Sequence, residues 1–160
     1  MLSKRDIQSI NLWISKMNHY NYQDKKQKIK NAKRILKLKH KIIGYGWHRI
    51  VYDLNNGYVL KVAISDHGLK SNETEYKVYT NCPYELREYL CPIKKLGHGW
   101  IIMRKMEYEV PNKRYIEELA RLKNKFQNAG IIPYDLKKLN VMLSKEGKIT
   151  VIDYGDFFMS

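Results

Sequence analysis

Apolar residues recur at helical spacing twice near the N-terminus, first at Ile7, Ile10, Trp13, Ile14 and Met17, then at Ile29, Ala32, Ile35 and Leu36 between lysines. Residues three and four apart share one face of a helix, so the pattern predicts two amphipathic helices within residues 1–41. From residue 42 the period changes. The runs KIIGYGWHRIVYDL and YVLKVAI are rich in β-branched and aromatic residues and flank Asn55-Asn56-Gly57, a strong hairpin signal. Within the first run, Gly44 and Gly46 are expected in a turn. SNETEYKVYTN then reads as a short helix. PIKKL and WIIMRKM around Gly97-His98-Gly99 read as a second hairpin. A helix follows over about 113–128, ending near Gly130, and NVMLS with KITVIDY around Glu146-Gly147 reads as a third hairpin. No repeat and no low-complexity linker interrupts the series, so the best boundary is the basic-to-β switch near residue 40.

Composition narrows this to one respectable core, since 160 residues with 44% hydrophobic content bury one globular unit by default. No window approaches the roughly 18 uninterrupted apolar residues of a membrane span. The opening MLSKRDIQSINLW lacks the apolar run and small-residue cleavage site of a secretory signal. A soluble cytoplasmic protein with no membrane partner is expected. Cys82 and Cys91 each precede a proline and form no C-x-x-C pair, so two free thiols are expected rather than a zinc site. Charge is uneven: residues 1–41 hold 12 Lys/Arg against 2 Asp/Glu, and the remainder holds 18 against 14. A basic stripe suits nucleic acid or an acidic partner, but no stacking platform or base-reading pattern accompanies it. Nucleic acid is therefore not favoured over a solvated lysine face.

The chemistry-bearing residues fall at strand ends and turns. Gly44 and Gly46 in GYGWHR would let backbone N–H groups approach phosphate oxygens, although two glycines in a β-turn are more often only a turn. Lys61 is centred in the apolar strand YVLKVAI, where its ammonium must snorkel outward or face a buried anion. The next helix carries Glu73 and Glu75, either of which could pair with that lysine. Asp135 and Asn140 bracket a loop before one strand, and Asp153 ends the next strand just before Gly155. Hard oxygen ligands at strand ends fit Mg2+ held against phosphates, while a turn-capping Asp is the plain alternative for Asp153 alone.

Taken in order, GYGWHRIV, VLKVA, Glu75, DLKKLN and DYG resemble the signature series of the protein-kinase superfamily over roughly residues 42–155. The likeness extends to Lys137, two residues after Asp135. It is nearest to small bacteriophage and bacterial kinase-like proteins with G-x-G-x-x-R-x-V-Y, N-x-x-E and a terminal IDYG. Asn72 and Glu75 fit the N-x-x-E, which favours Glu75 over Glu73. Two departures stand out. Arg49 occupies the third glycine of the phosphate loop, where its guanidinium could meet an anion, and Pro133-Tyr134 replaces the His-Arg before the catalytic Asp. With only DFFMS after Gly155, the activation segment and the helical lobe of a full kinase are expected to be missing.

The resemblance implies an α+β fold: a kinase-like N-lobe, antiparallel sheet plus one helix, over about 42–106, and a reduced C-lobe over about 107–160. Residues 1–41 would form a basic helical extension packed on this body, covering the apolar segments that carry Asp135, Asn140 and Asp153. It also implies ATP and Mg2+ as cofactors. Gly44, Gly46, Arg49 and Lys61 would hold phosphates, with Glu75 orienting Lys61 and the adenine near Met103 and Met106. Asn140 and Asp153 would bind the metal, and Asp135 and Lys137 would be catalytic. The implied function is a phage-encoded minimal kinase acting in the host cytoplasm on a Ser/Thr hydroxyl of a partner or of itself. The alternative is a weak or inactive pseudokinase serving as a nucleotide-dependent module on a host protein. A homo-oligomer is left open.

Overall fold

Ser3 Oγ accepts the Asp6 N–H at 3.0 Å while the Asp6 carboxylate accepts the Ser3 N–H at 3.1 Å. This reciprocal cap satisfies two donors that a helix start otherwise leaves orphaned, and it opens α1 (Lys4–Lys16). A 3-10 turn (Met17–Tyr20) follows. Asp24 then caps α2 (Lys25–Leu36) through the Gln27 N–H, and Lys37 in the left-handed region ends it. These positions come from a computed structural model describing all 160 residues.

Five strands form one sheet: β1 (Lys41–Tyr45), β2 (Arg49–Asp53), β3 (Tyr58–Ala63), β4 (Ile93–Gly97) and β5 (Trp100–Arg104), in the order β1-β2-β3-β5-β4. The β1–β2, β2–β3 and β3–β5 pairings are all antiparallel. A bulge leaves Ile43 as the extra residue on β1, because Ile42 faces Tyr52 and Gly44 faces Val51. Gly44 consequently lies within β1, and the turn begins only at Gly46; the expectation that both glycines sit in the turn is corrected. A second two-stranded sheet pairs β7 (Val141–Leu143) with β8 (Ile149–Val151), the third expected hairpin. The remaining elements are α3 (Asp66–Asn81), α4 (Tyr84–Arg87), α5 (Asn112–Asn128), and the short strands β6 (Ile131–Ile132) and β9 (Phe158–Met159), which pair with each other.

The chain resolves into two compact units, Met1–Asn72 with Lys94–Lys105, and Glu73–Ile93 with Met106–Ser160. In the first, Ile10, Trp13 and Met17 of α1 and its following turn, and Ile29, Ala32 and Leu36 of α2, share one core with Ile50, Tyr52, Leu60, Val62, Trp100 and Ile102 of the sheet. Trp13 adds a buried hydrogen bond from Nε1 to the Ala63 carbonyl at 2.9 Å. At about 1.5–3 kcal/mol for each fully buried large apolar side chain, this face is a main source of the unit's stability. The apolar faces of α1 and α2 are thus spent on the five-stranded sheet. In the second unit, packing around the C-terminal motifs comes from α5, whose Phe126 meets Phe157 edge-on at 5.3 Å, and from Tyr154 beside Phe157. Backbone bonds from Cys91 to Val151, Val151 to Tyr89 and Leu143 to Tyr108 tie the β7–β8 hairpin to neighbouring segments. Cys82 and Cys91 are both free thiols and both buried. No helix is long and apolar enough to cross a membrane.

Candidate functional site

In the first unit, the turn between β1 and β2 closes through the Gly46 N–H on the Arg49 carbonyl at 3.0 Å. Neither glycine is demanded by the fold. A Cβ on Gly44 would meet only ordinary contacts, near 4 Å from Val51, and one on Gly46 would meet nothing within 4 Å. Neither backbone occupies the left-handed region that favours glycine. At Gly46 this leaves open space beside the turn. Arg49 starts β2 with its side chain buried, and Nη1 donates to Asn72 Oδ1 at 3.0 Å. Lys61 is buried in mid-β3, opposite Val51 on one side and Ile101 on the other. Met103 is fully buried in β5, opposite Val59.

In the second unit, the loop after β6 holds three of the expected groups together. Asp135 adopts φ 61°, one of only three non-glycine residues with positive φ, a conformation that Asp tolerates better than most. The Asn140 side chain fixes it, with Nδ2 donating to the Asp135 carbonyl at 2.8 Å and lying 3.4 Å from Oδ2. Lys137 Nζ pairs with Asp135 Oδ1 at 3.0 Å. Backbone bonds from Asn140 to Lys137 and from Ile152 to Asn140 complete the loop and tie it to the segment that follows β8. Both side-chain bonds of Asn140 run from Nδ2, so its carbonyl Oδ1 is the end that can face a cation.

Asp153 is half-buried two residues after β8, its Oδ1 3.4 Å from the Gly155 N–H. Glu75 of α3 is fully buried and accepts the Tyr154 N–H at 3.0 Å. The Tyr154 hydroxyl in turn donates to the Cys91 carbonyl at 2.8 Å, and burial, with the nearby Glu75 charge, pushes its pKa well up. Met106 is half-buried just beyond β5. No group of three or more His, Cys, Asp or Glu side chains stands ready to hold a metal alone; the donor set offered is an amide carbonyl and a carboxylate.

The structure therefore gathers Asp135, Lys137 and Asn140 into one loop and places Glu75 against the Asp-Tyr-Gly segment. Sequence reasoning missed the part played by Tyr154, whose backbone and hydroxyl both serve this frame, and the engagement of Asn72 with Arg49. Asn72 was visible as part of N-x-x-E, but its partner lies 23 residues upstream. Within the loop, a carboxylate, an ammonium and an amide oxygen stand close enough to accept a proton, offset anionic charge and ligate a hard cation.

No protein-family model and no curated protein matches the sequence. Solved structures do match in fold. A structure of WbdD co-crystallised with the kinase inhibitor LY294002 superposes with a TM-score of 0.55 at 18% identity, over 72% of this chain and 32% of that one. The ROP18 kinase domain in complex with AMP-PNP and sucrose gives 0.53 at 16%, over 74% of this chain and 51% of that one. A structure of the bifunctional kinase-methyltransferase WbdD gives 0.54 at 18%, over 71% of this chain and 31% of that one. The chain spans about a third to a half of the length of these proteins. The fold, a five-stranded sheet with accompanying helices, is protein-kinase-like.

Proposed function

We infer that this chain binds ATP with Mg2+ and transfers the γ-phosphoryl group to a hydroxyl. The observation that carries the reading is the loop in which Asn140 holds Asp135 in a left-handed conformation beside Lys137. Strained backbone held by a specific side chain is typical of sites where a group must be aimed. The open space at Gly46 supports it from the first unit, since glycine without a local need suits close approach of phosphates.

In this reading Gly44, Gly46 and Lys61 take the phosphates. The base lies near Met103 and Met106. Asn140 Oδ1 and the Asp153 carboxylate would hold Mg2+, which supplies positive charge against the phosphate oxygens. Asp135 accepts the proton of the acceptor hydroxyl as its oxygen bonds to the γ-phosphorus and the bond to the β-phosphate bridge breaks, releasing ADP. Lys137 offsets the charge of the group in flight. The acceptor is a Ser/Thr hydroxyl on a partner protein or on this chain. The resemblance to phage proteins adds the proposal of a phage-encoded protein working in the host cytoplasm.

The second reading, a nucleotide-dependent interaction module without turnover, is favoured by the Lys137–Asp135 ion pair, which engages an oxygen the acceptor hydroxyl would use. Incubation with γ-labelled ATP and Mg2+, alone and with host lysate, separates the two. Label transfer that Asp135→Ala abolishes while ATP binding persists supports the kinase. ATP binding without transfer supports the module. An ATP-induced rise in melting temperature that Asp153→Ala removes supports both, and no rise at millimolar ATP refutes both.

A further inference from the structure

The β1–β2 turn is fastened at successive residues to the segment that opens α3. The His48 carbonyl accepts the Ile64 N–H at 2.8 Å, and His48 Nδ1 lies 2.8 Å from Ser65 Oγ. The His48 ring packs on His67 with centroids 4.1 Å apart. Gly68 makes the approach feasible, because a Cβ there would lie 2.1 Å from the His48 carbonyl oxygen. Ser65 Oγ also accepts the Gly68 N–H at 3.1 Å, so the receiving segment is itself braced. One residue on, Arg49 donates to Asn72 Oδ1, with Arg49 8% and Asn72 2% exposed. Asn72 Nδ2 is buried without a partner. The amide is thus retained at the cost of an orphaned donor, and its acceptor end faces the guanidinium.

We propose that Arg49 is a positioning residue: through Asn72 it locks the glycine turn onto α3, the helix that carries Glu75 one turn later, and it sets phosphate grip indirectly instead of touching phosphate. This rests on the ATP reading above for its effect on affinity, and on the fold alone for the lock. A turn fixed at three points is a rigid wall. Gly46 in such a turn serves close approach of a ligand and not hinge motion.

Hydrogen exchange of the full chain without nucleotide tests the lock. Asn72→Ala should speed exchange of the Gly46 and Ile64 amides about tenfold, the scale of one lost hydrogen bond to a charged group, and leave Leu60 and Ile102 unchanged. Asn72→Asp, which keeps an acceptor for Arg49 and removes the orphaned donor, should restore wild-type exchange. In parallel, Asn72→Ala should raise the dissociation constant for ATP with Mg2+ about tenfold, and Asn72→Asp should reverse most of that. Unchanged Gly46 and Ile64 exchange in Asn72→Ala overturns the proposal, as does uniform acceleration that Asn72→Asp fails to reverse. Normal ATP affinity in Asn72→Ala beside lost affinity in Arg49→Ala also overturns it, by making Arg49 a direct phosphate ligand. If wild type binds no ATP, the functional reading fails and the exchange data still decide the lock.

Discussion

Glu75 Oε2 accepts the backbone N–H of Tyr154 at 3.0 Å, and both residues are fully buried. A carboxylate expected to orient a lysine therefore also holds the Asp-Tyr-Gly segment in place. The two duties separate by mutation. Glu75→Gln keeps an acceptor and should retain most stability while losing label transfer if the kinase proposal holds; Glu75→Ala strands a buried N–H and should cost about 1–3 kcal/mol in addition. Urea denaturation and label transfer on both variants decide this. Equal stability of the two variants would show that the Tyr154 contact contributes little.

Gly46 offers the opposite separation. Alanine there meets no atom and no forbidden φ, so Gly46→Ala should hold or raise stability by up to about 1 kcal/mol through the unfolded chain. The same methyl should sharply reduce the ATP-induced thermal shift if phosphates approach this turn. A full shift in the variant would place the phosphates elsewhere.

Trp13 measures how far α1 belongs to the first unit. Its side chain is fully buried among sheet residues and bonds the Ala63 carbonyl. Trp13→Ala should cost about 3–5 kcal/mol in equilibrium unfolding, the range for large aromatic deletions. A loss under 1 kcal/mol would make the helix a dispensable attachment.

Burial pushes the Tyr52 phenol up to about 12. Below pH ~10, the unfolded value, the group is protonated in both states and its contribution is complete; between pH ~10 and 12 only the unfolded chain ionises, and about 2–3 kcal/mol is lost. Tyr52→Phe should flatten the stability–pH curve in that window. Tyr154 shifts in the same direction, so some slope should remain. An unaltered slope would mean that Tyr52 ionises without unfolding.

α1, α2, α5, the five strands and the β7–β8 hairpin were legible because the apolar period changes cleanly from helical to alternating near residue 41. α3 begins at Asp66, ahead of the SNETEYKVYTN segment that marked it, since Gly68 argues against helix locally and is present to admit the His48 carbonyl. α4, one turn long, carries no periodic signal. The β6–β9 pair joins Ile131–Ile132 to Phe158–Met159 across more than twenty residues, and two-residue strands have no period to read. Asp135, Lys137 and Asn140 were legible because their frame is a local loop. The buried partner of Arg49 was not, because a guanidinium's destination depends on the register of β2 against β3 and on where α3 starts.

The sheet order β1-β2-β3-β5-β4 carries a cost during synthesis. β3 is central in the finished sheet, yet its second neighbour, β5, is encoded some forty residues later, after a stretch of the other unit. Until Arg104 has left the ribosome, the emerging chain presents β3 as an open edge bearing Val59, Leu60 and Val62, with Trp100 and Ile102 not yet in the core. Unpaired apolar edges recruit other chains. Neither unit is one continuous stretch of the chain, so a delay between the emergence of β3 and that of β5 would prolong the exposure of this edge.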